Sequence, residues 1–309
     1  MNKHAKGFTI VELLIVIVVI GILAAITIVS YNGITNKARL AAMQSDLTNS
    51  QETLEANKVT DGSGTYPLTL AAANFTSSPG NTYAYYPNSA TAPTGYCLQT
   101  TNGSNVSSVT GSAPQSVNIG CGITNLAPDP SANTGYGYWG GFSNATSSVS
   151  ATVMTNGGYA GANYWRLNVN GGTGGAGGVY AYNIPVTAGK TYTASMYTRI
   201  NNPKMFNVCL EWHATNGDQM GAPCGNKQML STSWSRLSVT GVAPSGAGSV
   251  TVVDYIADGS PSGLTAGDVL DADAVMVNEG SLYGYADGAT YGWQWKGTSN
   301  ASASFGPQY

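Results

Sequence analysis

Apolar residues run from 8 to 29 with only Thr9, Glu12 and Thr27 as polar interruptions. About 22 residues at about 1.5 Å each make a helix roughly 33 Å long, enough to cross the hydrocarbon of a bilayer. The pattern then becomes one-sided. Leu40, Met43, Leu47 and Leu54 recur at spacings of 3, 4 and 7, while Lys37, Arg39, Gln44, Asp46 and Glu52 fall elsewhere. That period predicts an amphipathic extension of the same helix. Asp61-Gly62-Ser63-Gly64 supplies the stop, so the helix is expected to end between Asn57 and Gly64.

Past residue 64 the chain turns to short runs separated by Pro, Gly, Ser and Asn. Tyr83 to Tyr86, Gly95 to Thr100 and Ser116 to Ile119 are predicted strands of a small sheet, with Tyr66, Tyr83, Tyr85 and Tyr96 covering the helix. Asn125-Leu126-Ala127-Pro128-Asp129-Pro130 reads as a junction. From there to residue 288 no helical period returns. Strands are predicted at Tyr164 to Val169, Val179 to Ile184, Thr191 to Arg199, Phe206 to His213, Ser235 to Thr240, Val250 to Ile256 and Val269 to Val277, the pattern of a two-sheet sandwich.

Alternation assigns faces. Tyr192, Ala194, Met196 and Ile200 form one apolar face, and Phe206, Val208, Leu210 and Trp212 another. If these two strands are neighbours, Tyr197, Arg199, Glu211 and His213 gather on one outer face. An aromatic ring beside a few polar groups suits a sugar, which is apolar on its faces and hydroxylated at its rim. The alternative is a solvated polar face with an ordinary ion pair. Trp139, Trp165, Trp212 and Trp234 are expected in the core or at its rim.

Composition narrows the class. Charged residues make up 9% of the 309 positions and glycine fills 40 of them, which fits a surface-exposed β protein better than a cytosolic enzyme. The apolar content is too high for disorder. The formal charge is −3, and it becomes −5 if Lys3 and Lys6 are removed. With no clustered Lys or Arg, nucleic acid is not an expected partner. Cys97, Cys121, Cys209 and Cys224 read as disulfides outside the membrane, with three pairings open. A partition into domains would choose Cys97 with Cys121 and Cys209 with Cys224. Zinc is the competing use, but there is no CxxC, and His213 is the sole histidine beyond the leader.

The N-terminus carries the most specific signal. A secretory signal peptide is cut after its apolar core. Here Met1-Asn2-Lys3-His4-Ala5-Lys6-Gly7 is short and basic, and the bond that looks made for cutting, Gly7-Phe8, precedes the core. The segment resembles the leader and N-terminal helix of type IV prepilins. Gly21 and Tyr31 also fit that family, whereas Val29 stands where many pilins have proline. The resemblance implies a prepilin peptidase that cuts after Gly7 and methylates Phe8. It also implies that Glu12 pairs with the N-terminus of a neighbouring subunit during assembly. A carboxylate inside a bilayer costs about 2.5 to 3.5 kcal/mol, which argues for such a partner; the alternative is a signal anchor with a stray acid.

The second half is similar to jelly-roll carbohydrate-binding modules of the galactose-binding-like type. The resemblance is carried by Asn125-Leu126, Gly189 to Ser195, Ser233 to Leu237 and Leu270 to Gly280, and Trp293 to Thr298 looks like the segment that follows such modules. Alternation with Val275 and Val277 places Asp273 inward, where a carboxylate needs compensation. The resemblance implies a structural calcium at Asp273 with Asp129 and Asp271 as companions; a hydrogen-bonded buried Asp273 is the alternative.

The sequence thus predicts an α+β pilin followed by an all-β jelly-roll sandwich. The expected segments are a leader (1–7), a transmembrane and polymerisation helix (8–30), a pilin head (31–124), a sandwich (125–288) and a C-terminal tail (289–309). No G-x-S-x-G, H-E-x-x-H or P-loop appears, and an enzyme is not expected. The expected role is a minor or tip pilin that starts as a single-pass membrane protein and ends on the extracellular pilus. Its expected partners are the peptidase, other pilin subunits, the assembly machinery and cell-surface glycans. The alternatives are a type II secretion pseudopilin and a major pilin with the sandwich as a coat.

Overall fold

The computed structural model describes residues 10–60, 62–73, 75–111, 113–117, 120–135, 137–143, 148–172, 175–256 and 263–308. The chain divides into two compact units, Met1–Gly120 and Cys121–Tyr309. The break falls just ahead of the expected sandwich start at 125. Gly7 and Phe8 lie outside the described residues.

In the first unit a single helix, α1 (Ile10–Thr60), joins the apolar run to its amphipathic extension. It is long and apolar enough to cross a membrane. Every side chain from Ile10 to Ile28 is exposed, whereas Met43, Leu47 and Leu54 are fully buried. Thr27 within the apolar stretch satisfies its hydroxyl locally, its Oγ1 donating to the Leu23 carbonyl at 2.8 Å. Four antiparallel strands follow in spatial order: β1 (Thr82–Pro87), β2 (Tyr96–Asn102), β3 (Asn105–Thr110) and β4 (Ala113–Val117). Strand β3 is not among those expected from the sequence. Its signal was Asn102-Gly103, the start of the two-residue turn between β2 and β3, where Gly103 has φ +63°. Leu47 and Leu54 pack with Tyr66, Tyr96, Leu98 and Val109, so the tyrosines do cover the helix.

Asp46 pins the helix to this head. It accepts bonds from Ser78 N (2.9 Å), Ser78 Oγ (2.7 Å), Asn81 Nδ2 (2.6 Å) and Tyr83 Oη (2.5 Å). Burial acts to raise its pKa, but these donors outweigh it and the net shift is downward.

The second unit adds β5 (Gly122–Asn125), β6 (Trp139–Ser143), β7 (Val149–Thr155), β8 (Asn163–Val169), β9 (Gly177–Pro185), β10 (Thr191–Ile200), β11 (Lys204–Ala214), β12 (Gln219–Gly221), β13 (Gln228–Leu230), β14 (Ser235–Val242), β15 (Ala247–Tyr255), β16 (Val269–Glu279), β17 (Gln294–Trp295) and β18 (Ser304–Pro307). All seven predicted strands are present. They form a jelly-roll sandwich: a first sheet ordered β14-β10-β16-β8-β7 faces a second ordered β12-β11-β15-β9-β6, with β13 on β11. The core between them holds Trp139, Trp165, Met196, Ile200, Phe206, Leu210, Trp212 and Val252, among others. Trp234 is half-buried outside it.

Residues 289–308 are structured. β18 pairs with β17 and β5, and Trp293 packs with Ile123, Met276 and Ala286 as a small second core. Cys209 and Cys224 form a disulfide, Cys97 and Cys121 are also disulfide-bonded, and no cysteine is free.

Two expectations are corrected. Strands β10 and β11 are not neighbours but lie in opposite sheets, so Tyr197 and Arg199 share no face with Glu211 and His213. Period-two patterning identifies a strand's apolar face but not the sheet it joins. Asp273 does not point into the sandwich core either. A bulge at Ala274, with φ +55°, inserts one residue into β16. Leu270 and Ala272 before it and Val275 and Val277 after it all face the core, while Asp271 and Asp273 face outward.

Candidate functional site

The outer face of the second sheet carries a groove of about 680 Å³, within the size range of ligand sites. Strict alternation builds it. On β9, Val179 and Ala181 face the core and send Tyr180 and Tyr182 outward, until a bulge at Asn183 (φ +60°) returns Ile184 to the core. On β15, Val250 and Val252 do the same for Thr251, Val253 and Tyr255. On β11 the outward positions are Cys209, Glu211 and His213, and β6 adds Phe142.

The aromatic rings form a continuous surface. Phe142 lies 6.2 Å from both Tyr180 and Tyr255, nearly parallel to the latter, and Tyr182 meets Tyr180 edge-on at 5.7 Å. Gly140 sits beneath the Tyr180 ring, where any Cβ would collide with it. The polar groups cluster toward β11. Glu211 sits opposite Thr251 in the ladder. The Thr251 hydroxyl lies 3.2 Å from His213 Nε2, and His213 Nδ1 lies 3.4 Å from the Gly217 carbonyl. With Nδ1–H donating to that carbonyl, Nε2 is placed to accept from the Thr251 hydroxyl.

One wall is cross-linked. Gln219, Ala222 and Cys224 line the groove, and the Cys209–Cys224 disulfide ties this loop to β11. Leu210 N donating to Pro223 O (2.9 Å) and Gly225 N donating to Val208 O (2.9 Å) continue the attachment.

Beneath the groove, Asp254 is fully buried on the core side of β15. Its Oδ1 accepts from Val179 N at 2.5 Å, and its Oδ2 has no partner among the described residues. Burial pushes its carboxyl up to about 7.

The groove therefore unites Glu211 and His213 but excludes Tyr197 and Arg199. Phe142, Tyr180, Tyr182 and Tyr255 were not singled out from the sequence. The Val-Tyr-Ala-Tyr alternation at 179–182 was a usable signal for two of them.

The three aspartates do not converge on a cation. Asp129 accepts from Asn133 N, Thr134 N and Thr134 Oγ1, and burial raises its pKa. Asp271 is held by two arginines, Arg166 at 2.6 Å and Arg199 at 2.9 Å. Asp273 accepts from Ala160 N and Ala274 N, and burial pushes it up to about 6. A carboxylate already neutralised by two guanidinium groups does not fit a calcium ligand set. Among the described residues no group of three or more His, Cys, Asp or Glu side chains could hold a metal ion.

Glu12 lies on the exposed half of α1. Residues 2–28 match the prokaryotic N-terminal methylation motif. No curated protein matches the chain. Among solved structures, the chain is similar to the C-terminal family 22 carbohydrate-binding module of Clostridium thermocellum Xyn10B, at 15% identity over 50% of this chain and 94% of that one, with a TM-score of 0.39. It is also similar to the CBM22-2 xylan-binding domain of Paenibacillus barcinonensis Xyn10C, at 14% identity over 51% and 98%, TM-score 0.39. A third likeness is to the enzymatically active domain of bacteriophage CBA120 tailspike protein 4, at 11% identity and TM-score 0.39, where the match spans 50% of this chain and 21% of that one.

Proposed function

We propose that this chain is a minor or tip subunit of a type IV pilus, and that its sandwich binds a glycan chain in the aromatic groove. The observation that carries the first part is the division of α1. One continuous helix buries its C-terminal half against its own head and leaves every side chain from Ile10 to Ile28 exposed. An apolar surface of this length needs a bilayer before assembly and other helices after it. The methylation motif over residues 2–28 supports cleavage after Gly7 and methylation of Phe8 by a prepilin peptidase.

The glycan reading rests on the shape and chemistry of the groove. From β12 to β6 it crosses four inter-strand spacings, roughly 19 Å at about 4.8 Å each, which accommodates several sugar rings. Four aromatic rings offer stacking, and Glu211, His213, Thr251 and Gln219 offer hydrogen bonds. Glycoside hydrolysis needs two carboxylates flanking the scissile bond. Glu211 is the single carboxylate among the lining residues, which supports binding without catalysis.

Three measurements test this. Mass spectrometry of the exported protein should find N-methyl-Phe8 as the first residue; a mature chain beginning beyond Val29 would end the pilin reading. Glu12→Val should insert in the membrane yet fail to enter fibres, and normal fibres would remove its assembly role. For the groove, a glycan array probed with the detergent-solubilised full chain should give signals, and silence beside active control lectins would remove the adhesin reading.

A further inference from the structure

We infer that the opposite outer face, on the first sheet, carries a second saccharide site selective for a sugar bearing a carboxylate, such as a hexuronate residue of an acidic polysaccharide. It stands on different residues from the groove and does not depend on it.

Cross-strand register builds two rows on this face. In one, Arg236 on β14, Tyr197 on β10 and Asp273 on β16 lie side by side. In the other, Arg199 on β10, Asp271 on β16 and Arg166 on β8 are directly paired, and Trp234 precedes β14 beside Arg199.

The second row orients one guanidinium. Asp271 takes Arg166 bidentately through Nε (2.6 Å) and Nη2 (2.9 Å), and takes Arg199 through Nε alone (2.9 Å). The Arg199 guanidinium also lies 4.3 Å from the Trp234 ring and 5.2 Å from the Tyr164 ring. These contacts fix its plane. Its two Nη nitrogens bond to no acceptor among the described residues, and the side chain is one-quarter exposed. A planar fork with free donors, anchored through its third nitrogen, matches a carboxylate. Two guanidinium groups against one carboxylate leave this row positive.

The first row supplies a platform. Tyr159 stacks on Tyr197 with ring centroids 3.5 Å apart and planes 13° from parallel, and it is 45% exposed. Tyr197 and Arg199 are two residues apart on one strand face, about 7 Å. A pyranose laid on Tyr159 would bring an acid group on its ring within reach of the Arg199 fork. The groove on the second sheet lacks an arginine or lysine and contains Glu211, so an acidic sugar is directed to this face by charge.

Titration calorimetry of the detergent-solubilised full chain with tetragalacturonate and with its fully methyl-esterified form tests the inference. The acid should bind at least about tenfold more tightly than the ester, the scale of one charge-assisted bidentate contact. Arg199→Gln should abolish that preference, and Tyr159→Ala should weaken both ligands. If Arg199→Gln fails to fold, as judged by its melting transition, Arg199→Lys keeps the charge without the fork and should still lose most of the preference. Equal binding of acid and ester, no binding at millimolar ligand, or an unchanged preference in either Arg199 variant would overturn the site. So would equal binding of tetraglutamate, since that would mean charge alone is read.

Discussion

On the second sheet the outward positions hold Phe142, Tyr180, Tyr182 and Tyr255, whereas on the first they hold Arg166, Arg199, Arg236, Asp271 and Asp273. Both faces arise from the same alternation over one shared core. The aromatic face keeps its side chains half-buried and available, and no ring depends on a charged neighbour. The charged face had to be neutralised within the fold, because Asp271 and Asp273 are nearly inaccessible and a buried carboxylate without partners is costly. Aromatic positions can therefore change with consequences mainly for ligands, while charged positions carry stability as well.

The sharpest break of that contrast is Asp271→Ala. It strips Arg166 and Arg199 of their common acceptor and should cost about 3 to 5 kcal/mol, read as a lowered denaturant midpoint. A loss below about 1 kcal/mol would reduce the row to an ordinary surface pair. Next is the double change Cys209→Ser and Cys224→Ser, which frees the groove wall. With the cysteines 15 positions apart in sequence, it should cost about 3 kcal/mol in a thermal melt. An unchanged melting temperature would show that the loop holds without its cross-link. Tyr182→Ala should weaken glycan binding by about 2 kcal/mol, roughly thirtyfold. Its melting temperature should stay within about 2 °C of the parent. A large drop would place Tyr182 with the structural residues and erase the difference between the faces.

Much of this architecture is legible in the sequence because it is local. The end of α1, the buried stripe of Met43, Leu47 and Leu54, and the apolar faces of β10 and β11 all follow from period alone. The candidate sites are not local. Glu211 and Tyr182 share a groove only because β15 lies between their strands, and that pairing joins segments far apart in sequence. The face of Asp273 is hidden from the sequence for a different reason. An alanine in a left-handed conformation shifts the phase of β16, and nothing about Ala274 in the sequence announces it. Asp271, expected as a calcium companion, instead serves two arginines.

Asp254 gives the sandwich a preference for acidity. Its carboxyl, pushed from the ordinary 3.8 up to about 7, keeps in the folded chain a proton that the unfolded chain releases near pH 4. Between those two values the native state binds the extra proton, so stability declines as the medium becomes more alkaline, and the full penalty stands above the upper value. Melting temperatures taken from about pH 4.5 to 8.5 should fall across that window, and Asp254→Asn should make the fall shallower, leaving the part that Asp273 contributes. The folded domain would be hardiest in mildly sour surroundings, and mild base would loosen it from within, at a carboxyl group that solvent does not reach.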